Sequence, residues 1–196
     1  MSATKLSRVH AHARACAGGS TLIEFALIVL VFLMFLFAVL ELARLMFLYN
    51  TFQEVTRRAA SAAATTDFSK STEMDKVRQD AIFRSTSGSL VLMPELTDQA
   101  VRVDYMSLSM GADGALAMQA IAAGAVPSSP EENRRNCLID PYADNCIRLV
   151  RVRICDPATT SACSPMMFNT WTSIVSLTVA MPLATTIASA QTLGLR

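Results

Sequence analysis

Four cysteines crowd the last third of the chain: Cys137, Cys146, Cys155 and Cys163, separated by eight, eight and seven intervening residues. Thiols in such a cluster do one of two kinds of chemistry. They oxidise to disulfides, or as thiolates they hold a metal ion. Zinc knuckles place two ligands within a few residues of each other, and no C-x-x-C pair exists here. The same absence excludes the motif of disulfide oxidoreductases. The only histidines, His10 and His12, lie near the N-terminus. The cysteine-bearing region therefore has no imidazole for a Ser-His-Asp or Cys-His arrangement, or for a His-ligated metal. No Gly-rich phosphate loop occurs. Lys70 and Lys76, which a Ser–Lys dyad would need, sit in a polar helical stretch without a supporting motif. These patterns predict neither an enzyme nor a bound cofactor or metal.

Whether the cysteines oxidise depends on the compartment, and one element decides that. Hydrophobic residues make up 52% of the chain and charged residues 17%. The apolar excess is concentrated. Phe25–Leu40 is sixteen consecutive apolar residues, and Thr21–Phe47 contains no Gly or Pro. A helix crossing a bilayer needs about 20 predominantly apolar residues, or ~30 Å at 1.5 Å each. A cleaved secretory signal would have a shorter apolar core and then a small-x-small site. Here Glu41-Leu42-Ala43-Arg44 follows instead, so the expectation is a retained single-pass anchor in the lipid bilayer. Before Glu24 stand Lys5, Arg8 and Arg14 and no acidic residue. The positive-inside rule puts that end in the cytoplasm and the remainder outside. The net charge of +1 gives no reason to expect nucleic-acid binding.

Two carboxylates bound the apolar run. Glu41 is three residues before Arg44, and the two are expected to pair at the membrane edge. Glu24 has no cation within a helical turn, and an ionisable group at that depth is costly unless it has a purpose. Upstream the chain reads Gly18-Gly19-Ser20-Thr21-Leu22-Ile23-Glu24-Phe25. Cleavage after Gly19 would leave Ser20 with a free α-amino group, of reference pKa near 8. Pairing that ammonium with Glu24 of a neighbouring subunit would relieve the desolvation cost of both.

A short basic leader, then Gly, four residues, Glu, an aromatic and an apolar helix resembles the type IV prepilin signal, of the Flp or type IVb branch. Gly19–Leu27 together with Glu41-Leu42-Ala43-Arg44, Gln53 and Arg57-Arg58-Ala59-Ala60 resembles the TadE-like family of tight-adherence pilus systems, over about residues 18–65. The resemblance implies processing at Gly19, Ser20, Glu24 and Phe25 by a prepilin peptidase in the bacterial inner membrane. It implies subunit packing through Ser20 and Glu24. It also implies a minor pilin-like (pseudopilin) role in filament initiation, with Flp-type pilins, TadF-like pseudopilins and the inner-membrane platform as partners. The expected organisation is a leader over 1–19, a transmembrane helix over 20–49 and a periplasmic domain over 50–196. The alternative from another class is an uncleaved membrane-anchored scaffold carrying an adhesive or sensor domain.

The outward region reads as α+β. The first helix is expected to run on through Glu54–Ala64. Ser71-Thr72-Glu73 opens a second helix with hydroxyl caps, ending at Ser87-Gly88. Val101–Tyr105, Arg148–Ile154 and Ile174–Ala180 alternate as antiparallel strands, with Arg148, Arg151 and Arg153 on a solvated face. Gly111–Pro130 reads as a loop with a helical turn around Ala115–Ala122. An oxidising exterior favours disulfides. Of three possible pairings, Cys137–Cys146 and Cys155–Cys163 each close a turn-rich loop. A Cys146–Cys155 bridge would fold the strand Arg148–Ile154 on itself, across a span of over ~20 Å where a disulfide needs ~5.5 Å.

Overall fold

The structure is a computed structural model that describes residues 17–90, 93–159, 162–170, 178–190 and 192–194. His10, His12, Cys16 and the basic residues Lys5, Arg8 and Arg14 lie outside the described residues, as does the 174–177 part of the last expected strand. The chain divides into two units, Met1–Arg44 and Leu45–Arg196. Helix α1 (Ala17–Ala63) supplies the described part of the first and opens the second. Up to Leu40 its apolar side chains lie open, among them Leu22, Phe25, Phe32 and Phe35. From Leu45 onward one stripe turns inward. Leu48, Phe52, Val55, Ala59, Ala60 and Ala63 are buried at helical spacing. Thr65 and Thr66 stop the helix by donating their hydroxyls to the Ala62 carbonyl.

The second unit is α+β, with antiparallel pairing throughout. Strand β3 (Val101–Met110) lies between β4 (Leu116–Ala120) and β5 (Leu149–Ile154), and β8 (Thr185–Ser189) flanks β5 on its other side. Two short ribbons join β1 (Ser89–Leu90) to β2 (Met93–Thr97) and β6 (Met167–Asn169) to β7 (Thr178–Ala180). Strict alternation in β5 buries Val150, Val152 and Ile154 and leaves Arg151 and Arg153 on the other face. The buried face of the sheet shares one core with the α1 stripe. Thr186 of β8 donates its hydroxyl to Thr56 of α1 at 2.9 Å, which satisfies a fully buried polar group.

Helix α2 (Ser71–Ala81) departs from expectation at both ends. Lys70, not a hydroxyl residue, is its N-cap, and no side chain caps it. The hydrogen bonds instead gather one turn earlier, where the Asp67 carboxylate accepts from the Ser69 amide and hydroxyl. These bonds, the hydroxyl first, hold the Asp67 carboxyl below its ordinary range. The helix stops at Ala81 rather than at Ser87-Gly88. Phe83 takes a left-handed φ of 61°, and the Arg84 amide closes back on the Gln79 carbonyl. Helix-like composition beyond Ala81 yields to this turn. The exposed Phe83 ring lies 4.5 Å from the Arg58 guanidinium.

Two further elements correct the sequence reading. Leu116–Ala120 is a strand, not a loop with a helical turn. Gly111 to Gly114 makes a tight hairpin turn with Gly114 at φ 77°, and pairing with β3 outweighs the helix propensity of the alanines. Helix α3 (Pro130–Ile139) occupies a stretch with no expected element. Its start is a variant of the capping box: the Ser129 hydroxyl accepts from the Glu132 amide at 3.2 Å, Pro130 takes the first turn, and the Glu132 carboxylate accepts at 2.7 Å from the amide of Ser128, one residue before the cap.

Candidate functional site

The first candidate region is the apolar helix. Gly19 and Ser20 lie on helical backbone, since α1 begins at Ala17. Glu24 is exposed and has no ion-pair partner among the described residues; Phe25 beside it is 66% exposed. Glu41 lies seventeen positions beyond Glu24 (41 − 24), about 25 Å along a helix. The acids thus stand at the two limits of an apolar stretch matched to a hydrocarbon layer of about 30 Å. Arg44 Nη1 sits 3.6 Å from Glu41 Oε2, both side chains largely shielded, which places the two in one i,i+3 pair. Among the described residues, this is one helix long and apolar enough to cross a membrane, and none of its most apolar window is buried.

The second candidate region brackets strand β5. Cys137 on α3 is bonded to Cys146, and Cys155, just past β5, to Cys163, with Cα–Cα distances of 4.9 Å in both. Both bridges therefore sit at ends of the strand that runs through the middle of the sheet. Just outside the Cys137–Cys146 bridge, Asn133 clamps the chain to Ile147. Its Oδ1 accepts from the Ile147 amide at 2.8 Å, and its Nδ2 donates to the Ile147 carbonyl at 3.4 Å, with both residues almost fully buried. One amide side chain so replaces a strand partner for Ile147. Sequence reading missed it, because an Asn inside a polar segment carries no local signature of burial.

The arginines of β5 are not the plain solvated stripe expected of them. Arg151 and Arg153 both converge on Asp104 Oδ2 of β3, the latter at 2.7 Å through Nη2 and 3.0 Å through Nε. The register pairs Asp104 with Arg151 directly, so the carboxylate meets one guanidinium across the strands and the other diagonally. Arg102 on the same face donates to the Thr159 carbonyl at 3.0 Å and so ties the loop of the second disulfide to the sheet. On the opposite face, burial raises the Tyr105 hydroxyl pKa well above its ordinary value. That hydroxyl rests 3.7 Å from Met74 Sδ and its ring 5.3 Å from Phe68, a packing role.

Among the described residues, no three His, Cys, Asp or Glu side chains are grouped to hold a metal ion. The arrangement is one of an apolar helix bounded by charges, joined in sequence to a disulfide-bridged sheet. Its helical part has known counterparts.

Residues 19–61 match the TadE-like protein family. The match starts at Gly19 and ends two residues before the end of α1, so it covers the acids, the apolar run and the Glu41–Arg44 pair. The sheet and both disulfides lie beyond it. No curated protein and no solved structure matches the chain. The TadE-like match associates the chain with Tad pilus systems, a pilus-associated family rather than an enzyme family. With the long apolar helix among the described residues it points to membrane anchoring.

Proposed function

We propose that the chain is a minor pilin-like subunit of a tight-adherence, type IVb pilus assembly, active through helix packing in filament initiation. The observation that carries this reading is the coincidence of the TadE-like match with the helix that opens at Gly19-Ser20-Thr21-Leu22-Ile23-Glu24-Phe25. On this reading a prepilin peptidase removes residues 1–19 and residues 20–49 anchor the subunit in the inner membrane. Residues 50–196 form the periplasmic domain, where an oxidising environment maintains the two disulfides. Glu24 of one subunit then pairs with the Ser20 α-amino group of the next. Each charge is costly to hold in an apolar bundle, and together they set the axial register. Glu41 and Arg44 neutralise each other at the outer edge.

N-terminal sequencing of the membrane form from cells that have the peptidase tests the proposal. Mature protein should begin at Ser20, and Gly19→Leu should leave the leader attached. A wild-type chain that still begins at Met1 or Ser2 overturns the reading. One observation favours the second reading, an uncleaved anchored scaffold. Helix α1 starts at Ala17, so helical backbone crosses the Gly19–Ser20 bond, which a peptidase would need to open. The same sequencing decides between the two.

A further inference from the structure

Strand β4 is the outermost strand of the four-stranded sheet, and all five of its residues are exposed. The ladder shows which way its backbone points. The Gly111 amide bonds to the Ala115 carbonyl and the Ile121 amide to the Tyr105 carbonyl, so the odd-numbered residues of β4 face β3. The amides and carbonyls of Leu116, Met118 and Ala120 therefore face outward along the sheet edge. The side chains beside them are apolar and open: Leu116 is 58% exposed, Met118 55% and, across the hairpin, Met110 49%.

Soluble proteins blunt such an edge with Lys, Pro, a bulge or a covering loop. Leu116-Ala117-Met118-Gln119-Ala120 has no charge and no proline, and its pairing with β3 runs in unbroken register from Met106↔Ala120 to Met110↔Leu116. The edge is built to receive a strand. Its sequence also says which strand. Antiparallel pairing with a second β4 about a two-fold axis at Met118 places Leu116 opposite Ala120, a large side chain against a small one. Met118 meets its twin, and Ala117 faces Gln119. All outward amides find outward carbonyls, and no like charges meet.

We infer that β4 is the docking edge for a second copy of this chain, joining the two sheets into one continuous antiparallel sheet across a two-fold axis. The contact is small beside a standard interface of ~1,600 Å². Confinement of two copies to one membrane, on the anchoring reading given above, supplies the effective concentration that a small contact lacks.

Cysteine pairing in the full-length chain reconstituted in lipid vesicles tests the register. A Cys16→Ser background removes the one cysteine outside the two bridges. In an outward-facing pair the Cα atoms lie ~5.5 Å apart, within disulfide reach. Met118→Cys should therefore give a disulfide-linked homodimer on mild oxidation. Gln119→Cys should not, since its twin lies about 8 Å away along the paired strands. Ala117→Cys mixed with Gln119→Cys should cross-link. Met118→Lys, which sets two ammonium groups face to face, should lower the dimer fraction of the chain reconstituted in lipid vesicles about tenfold. Equal dimer yields from Met118→Cys and Gln119→Cys overturn the inference, as does an unchanged dimer fraction for Met118→Lys. The measurement needs no pilus machinery. Failure of processing with a Met118→Cys cross-link intact would refute the pilin reading alone.

Discussion

Replacing Asn133 by Ala removes both partners of Ile147 at once. The side chain is 4% exposed and Ile147 2%, so water does not replace what is lost. An unmade buried hydrogen bond costs about 1–3 kcal/mol. The 2.8 Å bond from the Ile147 amide takes the upper part of that range and the 3.4 Å bond to its carbonyl the lower. The sum is about 3 kcal/mol, a large share of the stability of a domain this size. Pulse proteolysis of the detergent-solubilised chain across a urea series measures it. Asn133→Asp sharpens the test. The new carboxylate still accepts from the Ile147 amide but faces the Ile147 carbonyl, which disfavours its charged form and raises its folded pKa above the unfolded value near 3.9. A group raised in this way contributes its stability below the unfolded pKa and loses it as pH climbs through the folded value. Asn133→Asp should therefore approach wild type near pH 4 and fall away toward neutrality, while the deficit of Asn133→Ala relative to wild type stays the same across that range. An Asn133→Ala chain within about 0.5 kcal/mol of wild type, the usual scatter of surface substitutions, would refute the clamp.

Asp104→Ala leaves two half-buried guanidiniums without their shared acceptor. With the partial exposure of the cluster screening the charges, the loss should be about 1–2 kcal/mol, and in a double-mutant cycle Arg151→Ala should cost less in the Asp104→Ala chain than in wild type. Cys155→Ser opens a loop whose ends are 8 residues apart. The chain-entropy estimate for so short a loop is ~2.5 kcal/mol, which the same urea series detects, while non-reducing peptide maps should show Cys137 with Cys146 and Cys155 with Cys163. The hydroxyl and amide of Ser128 hold the Glu132 carboxyl below its ordinary range. A depressed carboxylate stabilises above its unfolded pKa and stops doing so as pH falls through the folded value, so the protection of the first amides of α3, corrected for the intrinsic exchange rate, should fall in acid, and Glu132→Gln should remove that acid dependence. Glu24→Ala should leave membrane insertion intact but abolish piliation at matched protein levels, and wild-type piliation there would reduce Glu24 to a solvated helix start.

The parts legible in the sequence share one property: their signal is periodic and local. The apolar run of α1 is unbroken over sixteen residues, and the alternation of Val150, Val152 and Ile154 and the start of β3 each bury one face over several residues. Helix α3 was equally local. Ser129-Pro130-Glu131-Glu132 spells a capping box, but the prolines and small residues before it pull the reading toward a loop. Strand β4 was not legible. Leu-Ala-Met-Gln-Ala favours a helix, and only the Gly111–Gly114 turn, which lays it beside β3, makes it a strand. The Asn133 clamp, the Thr56–Thr186 bond and the choice of Asp104 as the acceptor for two arginines depend on elements up to 130 residues apart in sequence. No pattern within a window of the chain records them.

The spacing of the disulfides has a kinetic consequence. Cys146 and Cys155 are nine residues apart (155 − 146), the same separation as the native pair Cys137–Cys146. In a loose chain, ring closure of equal size is equally fast, so a wrong bridge across the β5 sequence competes with the right one until that strand is extended. Order of arrival breaks the tie. A chain threaded into an oxidising compartment from its N-terminal side presents Cys137 and Cys146 together before Cys155 has emerged. Closure of so short a ring takes well under a microsecond of chain motion, so oxidant supply rather than diffusion sets the pace. If a thiol oxidase acts during threading, Cys146 is already committed when Cys155 appears, and Cys163 is the remaining choice. Bulk oxidation of the unfolded, reduced chain lacks that ordering. It should accumulate the Cys146–Cys155 species and need a disulfide isomerase to clear it.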